Sequence, residues 1–211
     1  MSYYSEKQYK PKEDLWFENF YFNRWFKKNH GPILDIGCAT GNFIATHPDI
    51  IEGIDFDDDC LKECHDRGFK AEKVDITKKF DQIPNDKYRG VYAKQVIEHL
   101  ENPLHFMKNI HRILKNGGKA VILTPNCPYA LNKFFWDDYT HVRPLTKNSL
   151  ERLALDSGFK KIKIYTDFRC FPGLGFIIRK FELSPKTISR IQNIFFINGL
   201  SLILEVKKQK R

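Results

Sequence analysis

Ile33-Leu34-Asp35-Ile36-Gly37-Cys38-Ala39-Thr40-Gly41-Asn42-Phe43 is the stretch whose reading decides the fold. An apolar run closes on an acid, and a glycine-containing turn then leads into a helical start. A buried parallel strand feeding a tight turn has this pattern. Such a turn aims backbone N–H groups and a helix N-terminus at a small molecule. A second apolar run, Ile50-Ile51-Glu52-Gly53-Ile54-Asp55, closes on another acid 20 residues past Asp35. A carboxylate at that spacing accepts hydrogen bonds from the ribose hydroxyls of a nucleoside.

Asp35 stands two residues before Gly37, at the mouth of the turn. A pyrophosphate held by that turn would be repelled by the carboxylate. The Gly37 to Gly41 spacing also departs from the G-x-G-x-x-G of dinucleotide sites. S-adenosylmethionine instead presents an ammonium and a sulfonium, which a carboxylate attracts. Charge and spacing therefore favour it as the expected cofactor over a nicotinamide dinucleotide.

Leu34 to Gly41 together with Gly53-Ile54-Asp55 resembles the class I S-adenosylmethionine-dependent methyltransferases. The branch it most resembles is the small-molecule one that includes the ubiquinone-biosynthesis O-methyltransferases. Val74-Asp75-Ile76, Gln95-Val96-Ile97-Glu98-His99-Leu100 and Leu114-Lys115-Asn116-Gly117-Gly118-Lys119 extend the resemblance over residues 31–160. It implies an α/β fold: a doubly wound, mostly parallel seven-stranded sheet with helices on both faces. The implied strand order is 3-2-1-4-5-7-6, with the seventh antiparallel. Gly37 and Gly41 would let the backbone approach the methionine moiety, and Asp35 would act on its ammonium. Asp55 would hold the ribose, Phe56 would stack on adenine, and Asp75 with the Ile76 backbone would take the adenine amino group. Gln95 would stand at the active-site edge. This chain has Ala39 where the family commonly has glycine.

With 211 residues, 42% of them hydrophobic, the chain suffices for one sizeable core but hardly for two domains. No run approaches the ~20 apolar residues of a membrane span, and the N-terminus lacks the layout of a secretory signal. Five scattered Cys, an odd count, suggest reduced thiols and a cytoplasmic location. Cys60-x-x-x-Cys64-His65 lacks a second pair of ligands and reads as a helix face, so no metal site is expected. The net charge of +9 is clustered only in Lys207-Lys208-Gln209-Lys210-Arg211, a solvated terminus, and bears on association rather than reaction type.

A single methyltransferase domain over 1–211 is expected, in four parts. These are a helical cap over 1–30, a cofactor-binding core over 31–126, an acceptor lid loop over 127–147, and a C-terminal part of the sheet over 148–211. Aromatic spacing predicts an amphipathic helix over 12–29. Alternating patterns predict strands near 32–37, 51–56, 70–75, 89–95 and 119–125, with helices near 41–46, 57–67 and 102–116. A helix near 147–157 follows the N-cap Thr146, and strands are expected over 160–167 and 201–207. Between them, Gly175 to Asn198 reads as one or two helices broken by Pro185.

His99, just past the fourth strand, and His141, in the lid, are the candidate catalytic residues. Trp136, Asp138, His141 and Arg143 are the candidate acceptor-binding residues, because loops at the carboxyl edge carry specificity. The expected partner is a small-molecule acceptor, methylated at oxygen. Three alternatives stay open. Basic charge allows an RNA methyltransferase, the apolar and basic segment from Phe176 to Phe196 allows peripheral membrane contact, and Ala39 allows a non-catalytic cofactor-binding protein. Oligomeric state is open.

Overall fold

A computed structural model describes residues 15–127, 135–167, 180, 181, 187 and 200–209. Its strands are β1 (Ile33–Ile36), β2 (Ile51–Asp55), β3 (Ala71–Lys73), β4 (Tyr88–Lys94), β5 (Leu114–Pro125), β6 (Lys161–Thr166) and β7 (Ser201–Lys207). They form one sheet in the order β3-β2-β1-β4-β5-β7-β6. The pairs from β3 through β5 are parallel, and β7 runs antiparallel to both neighbours. This is the expected doubly wound order. The strand order reverses between β1 and β4, and a ligand crevice opens at the carboxyl ends of strands there.

Period-two alternation divides the apolar side chains between two cores. Leu34, Ile36, Val91, Ala93, Ala120, Ile122 and Leu204 face one side with α3 (Pro103–Ile113) and α4 (Lys147–Asp156). Ile33, Tyr92, Val121, Leu123 and Ile203 face the other with α1 (Trp16–Trp25) and α2 (Asp58–Asp66). Both faces of each central strand are thereby buried, as a parallel sheet requires.

α1 is buried on most of its circumference. Tyr21 Oη donates to Asp167 Oδ2 (2.7 Å), and Trp25 Nε1 donates to Tyr165 Oη (2.8 Å). α2 starts at Asp57, whose Oδ1 accepts from the Cys60 N–H. α4 opens with the expected Thr146 cap, reciprocated by Ser149.

Two predicted elements differ. The helix expected over 41–46 is a single 3₁₀ turn, Ile44–Thr46, because Pro48 follows too soon for a second turn. The helix expected to reach 116 ends at Ile113. Leu114 is already extended and pairs with Tyr88, five residues before the expected start of β5 at 119. The register then shifts before Gly90 pairs with Lys119, with Gly117 (φ +78°) turning the bulge. The segment 175–198 lies almost wholly outside the described residues. Among the described residues no helix is long and apolar enough to cross a membrane.

Candidate functional site

The carboxyl ends of β1, β2 and β4 open into a cavity of about 860 Å³, within the size range of small-molecule sites. Asp35, Gly37, Asp55, Phe56, Asp75, Ile76, Gln95 and His99 all line it, so these expected positions meet in one place. Gly41, Trp136, Asp138, His141 and Arg143 lie outside its lining.

The turn after β1 is built from left-handed residues: Gly37 (φ +70°), Ala39 (φ +46°) and Gly41 (φ +78°). A Cβ on Gly37 would stand 2.6 Å from Val96 Cγ2, so glycine there keeps the backbone against the β4 end of the crevice. Gly41 has another reason. A Cβ there would lie 2.7 Å from the Phe69 ring and 3.0 Å from Cys64 Sγ, so its small size serves packing against α2 rather than the approach of a ligand. Ala39 tolerates its positive φ because its N–H donates to Asp55 Oδ2 at 2.8 Å. Asp55 Oδ1 accepts from Phe56 N–H (2.8 Å) and Asp57 N–H (3.0 Å), which ties the end of β2 to the turn after β1. Capping of α2 falls to Asp57 rather than Asp55.

Asp35 is buried beneath this turn, on the sheet face covered by α1. Burial, with Asp55 and Glu18 adding repulsion against the attraction of Lys94, pushes its pKa up to about 8. Burial also raises the pKa of Asp55, against the three amides that favour its charge. Glu18 of α1 and Lys94 of β4 line the same cavity. Sequence reasoning missed both, since neither lies in a recognisable motif. On the rim, Phe56 is 64% exposed, leaving an aromatic face open to a ligand. Asp75 accepts from Thr77 Oγ1 (2.6 Å) and Thr77 N–H (3.0 Å), and these hydrogen bonds with Lys78 hold its carboxyl below the usual range.

His99, at the end of the 3₁₀ turn Ile97–His99, and Tyr139 and Thr140 of the segment 135–143 also line the cavity. Val142 and Arg143 N–H both donate to the Glu98 carbonyl (3.0 and 3.1 Å), pinning the lid to the turn after β4. Arg143 Nη2 donates to the Glu101 carbonyl, and Trp136 is 57% exposed against the edge of Phe135, so neither faces the cavity. Tyr139 and Thr140 are the lid residues that line it. Asp138 works indirectly, accepting from Thr140 N–H (2.9 Å) and Oγ1 (2.6 Å).

The two histidines stand together, with ring centroids 4.6 Å apart. His141 Nδ1 lies 2.6 Å from the Phe135 carbonyl, which can only accept, so Nδ1 carries the proton. His99 Nδ1 lies 2.8 Å from Thr140 Oγ1. That hydroxyl spends its one proton on Asp138, so His99 Nδ1 must also donate. In the neutral rings both Nε2 atoms therefore carry lone pairs. Burial and the neighbouring His141 lower the pKa of His99, which favours its uncharged form.

A family of sequences described as a methyltransferase domain matches residues 12–164. Over 158 residues the chain is 25% identical to a protein of Mycobacterium tuberculosis described as a probable S-adenosylmethionine-dependent methyltransferase. The match covers 69% of this chain and 58% of that protein, so the chain spans less than two thirds of that relative's length. A SAM-dependent methyltransferase from Archaeoglobus fulgidus superposes with a TM-score of 0.73 at 23% identity, covering 98% of this chain and 100% of that one. A phosphoethanolamine N-methyltransferase of Haemonchus contortus, in complex with S-adenosyl-L-methionine, superposes with a TM-score of 0.65 at 16% identity. That superposition covers 92% of this chain and 53% of the other. At such identities the structural likeness speaks for the fold.

Proposed function

The chain belongs to the methyltransferase-domain family, and from that premise we propose that it transfers a methyl group from S-adenosylmethionine to an oxygen of a small-molecule acceptor. One observation supports this reading above the rest: Asp35 and Asp55 line the same cavity as an imidazole whose Nε2 carries a lone pair.

The residues fit the cofactor. Asp35 is a carboxylate deprived of water, and an ammonium beside it replaces the lost solvation. Lys94 offers a cation for the carboxylate of the same methionine moiety. Asp55 keeps acceptor capacity for ribose hydroxyls beyond its backbone bonds. Phe56 presents an open ring face for adenine, with Asp75 and Ile76 beside it. When bound, S-adenosylmethionine supplies a methyl carbon activated by its sulfonium. Val96 and Leu100 line the cavity with apolar side chains and narrow the room for water around the acceptor.

Oxygen is favoured as acceptor atom because a hydroxyl must lose its proton as the new bond forms, and His99 is held uncharged at neutral pH to take it. Asp138 acts through Thr140 to keep the tautomer, and His141 packs against the ring.

Incubation of the purified chain with methyl-labelled donor and a panel of hydroxylated small molecules tests the reading. Transfer to a hydroxyl, lost in Asp35→Asn, is the expected result. Label appearing instead in tRNA at physiological salt, or in anionic vesicles, would overturn the small-molecule assignment.

A further inference from the structure

The geometry points to a divalent transition-metal site made by Glu98, His99 and His141 at the acceptor end of the cavity. The inference rests on the methyl-transfer reading for its role there, though the site itself stands on the side chains alone.

One donor atom from each of the three residues lies within 4.8 Å of the other two. The hydrogen bonds select the imidazole atoms: with both Nδ1 atoms donating, to Phe135 O and Thr140 Oγ1, the Nε2 atoms remain as ligands. Metal-binding histidines are held in this way, with the other ring nitrogen donating to a carbonyl, a hydroxyl or a carboxylate relay. Here Asp138 extends the relay through Thr140, and its Oδ2 stands 4.0 Å from His141 Nε2.

Glu98 supplies the independent observation. It is 0% exposed, and its Oε2 accepts from Thr124 Oγ1 at 3.2 Å. Its Oε1 is buried with no hydrogen-bond partner. A buried carboxyl group with one oxygen unsatisfied, beside two imidazole lone pairs, costs stability unless a partner completes it.

The donor set indicates the ion. Two imidazoles and one carboxylate suit Zn²⁺, Fe²⁺, Co²⁺ or Mn²⁺ rather than Mg²⁺ or Ca²⁺, which prefer oxygen. Donors all within 4.8 Å of one another stand at most about 2.8 Å from a common centre, so each closes by at most about 0.7 Å to reach a bonding distance near 2.1 Å. Small rotations of the two rings and of the Glu98 carboxyl achieve this.

Three protein donors leave coordination positions open, as at sites that also take a substrate oxygen. His99 lines the cavity, which sets the site at its margin. With an ion in place, His99 would serve as a ligand instead of as the base; the cation would lower the pKa of a bound acceptor hydroxyl, whose proton would then pass to solvent water. A metal site here departs from the expectation of none: Glu98 and His99 are adjacent in sequence, but the third ligand comes from 42 residues beyond His99.

Cobalt titration of chelator-treated, full-length protein tests the site, read by visible absorption and by metal analysis after gel filtration. One Co²⁺ per chain with ligand-field bands is expected, displaced by Zn²⁺ and unaffected by equimolar Mg²⁺. Glu98→Gln and His141→Ala should each weaken uptake at least tenfold. Thr140→Val, which leaves all three ligands in place, should weaken it by about 10-fold or more through the lost relay. No uptake by the wild-type chain, or equal uptake by folded variants, overturns the site. S-adenosylmethionine binding to the same metal-free samples separates the two readings. Its retention without cobalt uptake sinks only the metal site, and its absence with stoichiometric cobalt sinks only methyl transfer.

Discussion

Cofactor binding should release a proton, and the amount follows from Asp35. Its carboxyl, pushed up to about 8 chiefly by burial, is mostly protonated in the cofactor-free protein at neutral pH. An ammonium placed beside it favours the charged form and returns it to the ordinary carboxylate range. The complex then holds fewer protons than the free protein, so binding releases protons and tightens as pH rises. At pH 7 a group with pKa about 8 is ~0.9 protonated, so Asp35 contributes ~0.9 proton per cofactor bound. Affinity should rise about ninefold from pH 6 to pH 7 and about fivefold from pH 7 to pH 8. Above about pH 8 the cofactor's own amino group loses its proton, which works in the opposite sense. Asp55, also raised by burial, adds to the release. Calorimetric titrations in phosphate and in Tris at one pH read the proton count from the difference in apparent enthalpy. Zero release together with flat affinity between pH 6 and pH 7 would refute the reasoning, since the carboxyl would then be ionised before the cofactor arrives.

The same carboxyl makes Asp35→Asn a variant that loses the cofactor but gains stability without it. A folded pKa above the unfolded one means that stability falls as pH rises from about 4 towards 8, so at pH 7.5 the amide should stabilise the free protein by about 1–3 kcal/mol in urea unfolding, and by less at pH 5. Gly41→Ala places a Cβ 2.7 Å from the Phe69 ring at φ +78° and should cost about 2–4 kcal/mol through strain and overpacking; an unchanged melting temperature would mean that α2 shifts freely. In chelator-treated, metal-free protein, where the imidazole is uncoordinated, His99→Ala should lower kcat by about 10²–10⁴-fold. Because His99 titrates below the ordinary histidine value, kcat of the metal-free wild type at saturating cofactor should stay level from pH 8 down to about 6.5 and fall below it; an acid limb at higher pH would assign activation to another group.

Much of the cofactor half of the site was legible in sequence because its parts are local. Asp35 and Gly37 belong to one strand and its turn, and Asp55 with Phe56 belong to the next. Parallel crossovers then bring such strand ends to one edge without further information. The alternation that splits Leu34 from Ile33, and Val91 from Tyr92, likewise specifies a sheet covered on both faces.

The half of the cavity proposed for the acceptor needed tertiary structure. Glu98, His99 and His141 are polar residues on two irregular segments, and nothing in their spacing says that two backbone bonds to the Glu98 carbonyl will hold the lid against the turn. The same contact turns Arg143 towards Glu101, although its sequence position suggested an anion-binding role. Glu18 reaches the cavity because α1 packs over β1, a long-range choice that an aromatic pattern does not encode. Gly41 shows the limit from the other side: its left-handed backbone was foreseeable from the turn, but only packing reveals that Phe69 and Cys64 occupy the place of a side chain. Periodicity and turn chemistry act over a few residues and are written in the chain. Which polar groups face one another across a cavity depends on how whole elements pack, and that only the assembled structure decided.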